Sequence, residues 1–130
     1  METEEIEVQG YIATKRKVLA QVVVCSGCCC GRTDKGRPAI PLEWLKKTWK
    51  ERKLLKTVQL TISGCLGPCD IANVVSILSK DVQLWFGGFS TEEPYHELLA
   101  WAEATRELGT LAHVPKSLLP YQFTRFSESE

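Results

Sequence analysis

The chain of 130 residues has little of the chemistry on which most enzyme sites depend. It contains only two histidines, and its 16 basic and 16 acidic residues leave a formal net charge of zero. A balanced charge gives no general attraction to nucleic acid or to an anionic membrane, so we expect neither as a partner. The sequence also lacks a Ser-His-Asp set, a phosphate-binding P-loop and a dinucleotide-binding glycine motif. These absences predict a protein that is not an enzyme by itself.

Long hydrophobic runs are missing as well. The longest uncharged run, residues 18–31, is shorter than the roughly 20 residues that a membrane-spanning helix needs. The N-terminus is acidic, whereas a secretory signal would begin with basic and then apolar residues. We therefore expect a cytoplasmic protein, in which thiols stay reduced and clustered cysteines serve a metal or redox centre instead of disulfides.

Cysteine is the residue type that is present in an unusual pattern, because all six cysteines fall in two short groups. The groups are Cys25, Cys28, Cys29 and Cys30 in a first cysteine loop, and Cys65 and Cys69 in a second cysteine loop. Each group follows an apolar run typical of a buried strand. Sites built only from cysteine thiolates hold iron–sulfur clusters or zinc. The sequence therefore predicts a thiolate metal site in which Cys25 is joined by one of its three neighbours.

Hydrophobic periodicity predicts the element order β-α-β-β-β-α, a mixed sheet of four to five strands with two main helices. The expected strands are residues 18–24, 58–62, 74–78 and 82–86, and the expected helices are residues 41–55 and a segment from about residue 91 to Gly109. Residues 17–109 are expected to form one domain. Residues 1–16 are predicted to be a loose acidic arm or an edge strand, and residues 110–130 a C-terminal strap that lies on the domain.

The cysteine spacing is C-x4-C-x34-C-x3-C when it is counted through Cys25 and Cys30, and Leu66-Gly67-Pro68 lies inside the second pair. Together with the element order and the apolar turn at residues 70–75, this pattern resembles the thioredoxin-like [2Fe-2S] ferredoxins. That family includes the small iron–sulfur subunit of bacterial respiratory NADH dehydrogenase. The resemblance extends from about Lys17 to Leu108.

The resemblance implies a thioredoxin-like α/β fold, one [2Fe-2S] cluster and an electron carrier that shuttles single electrons to or from a partner redox enzyme. It also implies that the chain can pair as a homodimer. The implied ligands are Cys25 and Cys30 on one iron, and Cys65 and Cys69 on the other. Cys28 and Cys29 have no counterpart in the family pattern and are alternative ligands in the first cysteine loop.

Two other site chemistries fit part of the pattern. A four-cysteine zinc site or metal-handling protein could use Cys25-x2-Cys28 together with Cys65-x3-Cys69. A thiol-disulfide redox protein could use Cys25-x2-Cys28 alone, although that motif should begin a helix and here is followed by glycines and proline. A Rieske-type centre is excluded because both histidines are remote from the cysteine groups.

A basic segment, residues 32–56, begins directly after the first cysteine loop. Its nine basic residues, against three acidic ones, are Arg32, Lys35, Arg37, Lys46, Lys47, Lys50, Arg52, Lys53 and Lys56. We expect a redox partner protein to dock near this segment, since complementary charge steers protein association. The competing interpretation is that the helical lysines only form the solvated outer face of an amphipathic helix.

Overall fold

The computed structural model describes residue 12 and residues 14–127. The elements of this part of the chain are β1 (Ala20–Cys25), α1 (Leu42–Glu51), β2 (Val58–Ser63), β3 (Val75–Ser79), β4 (Gln83–Phe86) and α2 (Glu93–Leu108). Short 3-10 turns lie at Thr33–Lys35, Cys69–Ile71 and Lys116–Tyr121. The predicted order β-α-β-β-β-α is confirmed. Residues 1–16 were predicted to be a loose acidic arm or an edge strand, and the structure describes only residue 12 and residues 14–16 of them, so this prediction lies almost entirely outside the described residues.

The strands form one mixed sheet in the order β2-β1-β3-β4. β1 and β2 are parallel, with Ala20 beside Val58 and Cys25 beside Ser63. β3 is antiparallel to both β1 and β4. Parallel neighbours need a crossover connection, which α1 supplies. This arrangement of a β-α-β unit, an antiparallel hairpin and a final helix confirms the predicted thioredoxin-like class of fold.

The main core lies between one face of the sheet and the two helices. Val22 and Val24 of β1 are fully buried there against Trp49 of α1 and Leu98 of α2. The Trp49 indole N–H donates a 2.8 Å hydrogen bond to the carbonyl of Val58, which ties α1 to the start of β2. Among the described residues, none of the helices has both the length and the apolar character needed to cross a bilayer.

α2 is terminated by Gly109, the residue after Leu108, and the backbone of Gly109 is left-handed with a φ of 73°. We expect Gly109→Ala to lower the free energy of unfolding by about 1 kcal/mol, because a β-carbon is strained in this region of φ. A β-carbon would meet no atom within 4 Å, so the loss is conformational and not steric. Urea denaturation measures it, with the exposed Thr110→Ala as a control expected within about 0.5 kcal/mol of the parent. Equal stabilities of the two variants would contradict the expectation.

Residues 121–126 of the C-terminal strap lie alongside β4. The N–H of Gly87 donates to the carbonyl of Tyr121 at 2.9 Å, and the N–H of Phe123 donates to the carbonyl of Trp85 at 3.0 Å. Because side chains alternate along a strand, Phe86 faces the main core and Trp85 faces the other side of the sheet. The strap therefore covers that second face near the cysteine loops, while the domain limits stay a prediction.

Candidate metal centre

The two cysteine loops meet at the carboxyl ends of β1 and β2. Cys25 is the last residue of β1, and Cys65 lies just after the end of β2. The N–H of Ser26 donates to the carbonyl of Ser63 at 3.1 Å, which continues the strand pairing into the loops. The N–H of Leu66 donates to Cys25 Sγ at 3.4 Å. The parallel register of the two strands is therefore what brings cysteines 40 residues apart in sequence to one end of the sheet.

Three thiols form a compact group at the surface. The Sγ atoms of Cys28, Cys65 and Cys69 all lie within 4.8 Å of one another. Cys65 Sγ is 3.3 Å from Cys69 Sγ, and Cys69 Sγ is 3.9 Å from Cys28 Sγ. Cys28 and Cys65 are exposed. Cys28, predicted only as an alternative ligand, is thus beside both thiols of the second cysteine loop.

Cys25 and Cys30 form a second, buried pair. Their side chains are 3% and 2% exposed and lie in one small apolar cluster. Burial raises the pKa of the Cys30 thiol to about 12, and the neighbouring Cys25 thiol acts in the same direction. Cys29, the other alternative ligand, is half-buried and packs against the small apolar cluster that contains this pair. The structure therefore groups the four predicted ligands as two pairs, with Cys28 as an additional thiol beside the second pair.

The thiols of the second cysteine loop have opposite pKa shifts because they share one hydrogen bond. With Cys69 as the donor, that bond lowers the pKa of Cys65, and a hydrogen bond from the backbone of Gly67 lowers it further. The same contact, together with Cys28, raises the pKa of Cys69 to about 12. In the metal-free protein Cys65 is therefore the thiol of this pair that ionises first.

Asn73 anchors the first cysteine loop and was not singled out by the sequence. Its side chain is fully buried. Nδ2 donates to the carbonyls of Pro38 at 2.9 Å and Phe89 at 3.3 Å, and Oδ1 accepts a 2.8 Å bond from the N–H of Gly31. Gly31 directly follows Cys30, so these bonds hold the backbone beside that predicted ligand. The sequence signal that could have identified Asn73 is a single amide side chain within an apolar stretch, because a buried amide needs hydrogen-bond partners.

Trp85 and Arg125 lie against the site from the second face of the sheet. Trp85 packs in the small apolar cluster around Cys25, and its indole N–H is buried without an acceptor among the described residues. The Arg125 guanidinium lies 5.7 Å from the centre of the Trp85 ring. It also covers Gly67, where an added β-carbon would be 2.6 Å from the Arg125 Nη2 atom. Neither residue was predicted from the sequence to have a role at the site, because no local motif indicates a contact between distant parts of the chain.

Basic side chains also flank the first cysteine loop. Lys35 Nζ donates to the carbonyl of Cys28 at 2.9 Å. Arg32 forms an exposed ion pair with Asp34 at 2.6 Å. The ion pair raises the pKa of Arg32 and lowers that of Asp34, and the thiols of Cys28 and Cys29 contribute to the shift of Arg32. The start of the basic segment therefore lies beside the thiols, as its position in the sequence suggests.

The residues present fit a metal group held by thiolates. The donors are soft sulfur atoms only, which suits iron–sulfur clusters or zinc. The N–H of Leu66 already donates to one sulfur, and the Trp85 N–H is a buried donor that lacks an acceptor among the described residues. Donors of this kind are what sulfur ligands carrying negative charge require around them.

A scan against protein-family models finds no match to this sequence, and a search of curated proteins finds none either. Among solved structures, the chain is similar to two structures of a thioredoxin-like [2Fe-2S] ferredoxin from Aquifex aeolicus. The wild-type structure shares 15% identity at a TM-score of 0.46, with 84% of this chain and 100% of that chain covered. The other shares 18% identity at a TM-score of 0.47, with 86% and 96% covered. Both structures are named as members of the family that the cysteine spacing of this chain resembles.

Proposed function

We propose that this protein is an electron carrier, and not a catalyst, that holds one [2Fe-2S] cluster on four cysteine thiolates. The observation that carries the proposal is the pairing of the thiols. Cys25 and Cys30 are buried together in one small cluster, and Cys65 and Cys69 lie 3.3 Å apart at the same end of the sheet. Two thiolates for each of two irons is the ligation of such clusters. When bound, the cluster supplies one-electron redox chemistry.

The chain around the thiols shields one side of the site and opens the other. The buried pair, Cys25 and Cys30, packs with Val74 and keeps water from the inner side. Cys28 of the first cysteine loop and Cys65 of the second are exposed, so a redox partner can approach the outer side of both loops. The Leu66 N–H stabilises negative charge on Cys25 Sγ. This division into a dry inner side and an accessible outer side suits electron transfer to a docked protein.

We expect Arg125→Gln to lower the reduction potential by about 20–40 mV. The guanidinium at the second cysteine loop favours the state with one more negative charge, and a partly exposed charge pair contributes about 0.5–1 kcal/mol, on a scale where a tenfold change is 59 mV for one electron. A redox titration followed by visible absorbance measures the shift. Arg125→Lys keeps the charge and should retain most of the potential, and the exposed Lys116→Gln is the control. The same shift in Lys116→Gln, or none in Arg125→Gln, would contradict this role.

A four-thiolate zinc site is the second candidate, and a specific observation favours it. The sulfur separations of 3.3 and 3.9 Å among Cys28, Cys65 and Cys69 are close to the edge of a zinc tetrahedron with bonds of about 2.3 Å. Cys25 contacts the second cysteine loop through Leu66 and completes a set of four thiols. The zinc set thus contains Cys28 where the cluster set contains Cys30.

The thiol-disulfide alternative lacks the local structure that it needs. Such a motif places its first cysteine at the start of a helix, which lowers the thiol pKa. Here the first cysteine loop continues into a 3-10 turn at Thr33–Lys35, and α1 begins only at Leu42. The first cysteine loop therefore has no helix of its own to activate a thiol.

Anaerobic purification distinguishes these functions. The cluster proposal expects a red-brown protein with about two irons and two acid-labile sulfides per chain. A colourless protein with about one zinc per chain would support the zinc site. A metal-free protein with free thiols would contradict both metal proposals.

For the partner, we propose an acidic surface that docks beside the first cysteine loop. Arg32 and Lys35 are within a few residues of the thiols, and their charge complements acidic groups. This docking should weaken as salt rises, because exposed charges are screened. Homodimer formation and a cytoplasmic location stay predictions.

A further inference from the structure

The basic segment is divided between two ends of the molecule. Arg32 and Lys35 lie at the cysteine loops. Lys56 lies next to the start of β2, while Cys65 follows the other end of this strand. A strand of six residues spans roughly 20 Å at about 3.3 Å per residue. Lys56 is therefore remote from the thiols, and a partner that exchanges electrons with them would not need to contact it.

At this remote end, a groove of about 430 Å³ lies between the chain entering β1 and the chain entering β2. The N–H of Leu19 donates to the carbonyl of Thr57 at 2.8 Å and joins the two segments. We call this groove the basic groove. Its lining residues are Lys15, Arg16, Lys17, Val18, Leu55, Lys56 and Gln59. Lys50 and Lys53 border an adjoining hollow that shares Leu55 and Lys56.

The basic groove combines positive charge with exposed aliphatic surface. No acidic residue is among the residues that line it in the described chain. Val18 is 36% exposed and Leu55 is 41% exposed, so two apolar side chains lie in water between the cations. Cations around an exposed apolar centre are what an acidic, partly apolar binding segment would complement.

One of the residues that line the groove, Gln59, belongs to the edge strand of the sheet. β2 is an edge strand in the order β2-β1-β3-β4, and on its outer side no strand of the described residues pairs with it. Unpaired strand edges are templates for an added peptide strand. An extended peptide could therefore use backbone hydrogen bonds beside the groove as well as its charge.

We infer that the basic groove binds an acidic peptide segment of a protein partner. Nucleic acid fits less well, because the net charge of the chain is zero and the groove offers no aromatic side chain on which bases could stack. A partner held here leaves the thiol end free, and tethering raises the effective concentration of whatever docks there. This inference does not depend on which metal the thiols hold.

Fluorescence anisotropy tests the inference with a labelled peptide of alternating glutamate and valine. The matched probes are the same peptide with glutamine in place of glutamate, a single-stranded DNA oligonucleotide and anionic lipid vesicles. We expect the acidic peptide to bind, and to bind at least about tenfold more weakly when salt rises from about 50 mM to about 300 mM. Equal binding of the glutamine peptide, or tighter binding of DNA or vesicles, would overturn the inference.

Charge reversal locates the binding. Lys17→Glu with Lys56→Glu should weaken peptide binding at least about tenfold, since two attractions become repulsions. Lys46→Glu with Lys116→Glu changes the net charge equally outside the groove and should weaken it less than about threefold. If the first pair impairs folding, the neutral Lys17→Gln with Lys56→Gln must still weaken binding about threefold. An equal loss in the control pair, or none in the groove variants, would contradict the site.

Discussion

Cys65→Ser and Cys69→Ser should each leave the protein almost without its metal group. We expect the metal retained after gel filtration, iron or zinc, to fall to about a tenth of the wild-type content or less. Replacing even an outer-shell partner of a ligand costs about 10–100-fold in metal affinity, and losing a ligand costs more. These two thiols lie 3.3 Å apart and belong to both the cluster set and the zinc set. Their loss is therefore the strongest single effect expected at the site, whichever metal it holds.

Cys29→Ser is the matched control for this prediction. Cys29 has the same side chain and lies in the first cysteine loop, but it belongs neither to the compact group of Cys28, Cys65 and Cys69 nor to the buried pair of Cys25 and Cys30. It should retain the wild-type metal content, measured by elemental analysis of folded protein. Normal metal content in Cys65→Ser or Cys69→Ser would show that the two loops do not form a joint site.

Asn73→Ala is expected to lower the free energy of unfolding by about 3 kcal/mol. The substitution removes three hydrogen bonds of a fully buried side chain, each worth about 1 kcal/mol net, and leaves buried backbone groups without partners. This is a large part of the about 5–15 kcal/mol that stabilises a typical domain. Because Gly31 loses its acceptor, we also expect the backbone at Cys30 to loosen and metal to be lost faster on dilution. Chemical denaturation and the rate of iron release measure the two effects.

Ser76→Ala provides the comparison for Asn73→Ala. Ser76 is 2% exposed and its Oγ donates a single 3.0 Å hydrogen bond to the carbonyl of Leu84, so its loss should cost about 1 kcal/mol. Asn73→Asp keeps an acceptor for the N–H of Gly31 but not the donors, and should give an intermediate rate of metal release. If Asn73→Ala were no more destabilising than Ser76→Ala, Asn73 would not be the anchor of the first cysteine loop.

The strands and their order could be predicted from the sequence because the signal is local. Apolar runs ending at turn residues identified β1 to β4 within about two residues. The predicted end of α1 was wrong by four residues, because the helix was expected to continue to Leu55 and in fact ends at Glu51. The apolar stripe of α1 continues to Leu54, but the backbone at Lys53 is left-handed with a φ of 54°. The N–H of Leu54 then donates to the carbonyl of Trp49. Leu54 is thus buried in the core without belonging to the helix.

The candidate site could be predicted in part. The strand ends predicted that the two cysteine loops meet, and the structure places them together. The long-range contacts could not be predicted, because Asn73 and Arg125 reach the loops from distant parts of the chain. The basic segment appeared continuous in sequence, and only the fold shows that Arg32 and Lys56 lie at different ends of β2.

The most direct test of the proposed cluster compares Cys30→Ser with Cys28→Ser after anaerobic purification. Iron, acid-labile sulfide and zinc are measured per folded chain. We predict about two irons and two sulfides in Cys28→Ser, as in the wild type, and loss of both in Cys30→Ser. Zinc in the wild type, with binding that survives Cys30→Ser and is lost in Cys28→Ser, would contradict the [2Fe-2S] cluster and establish the zinc site instead.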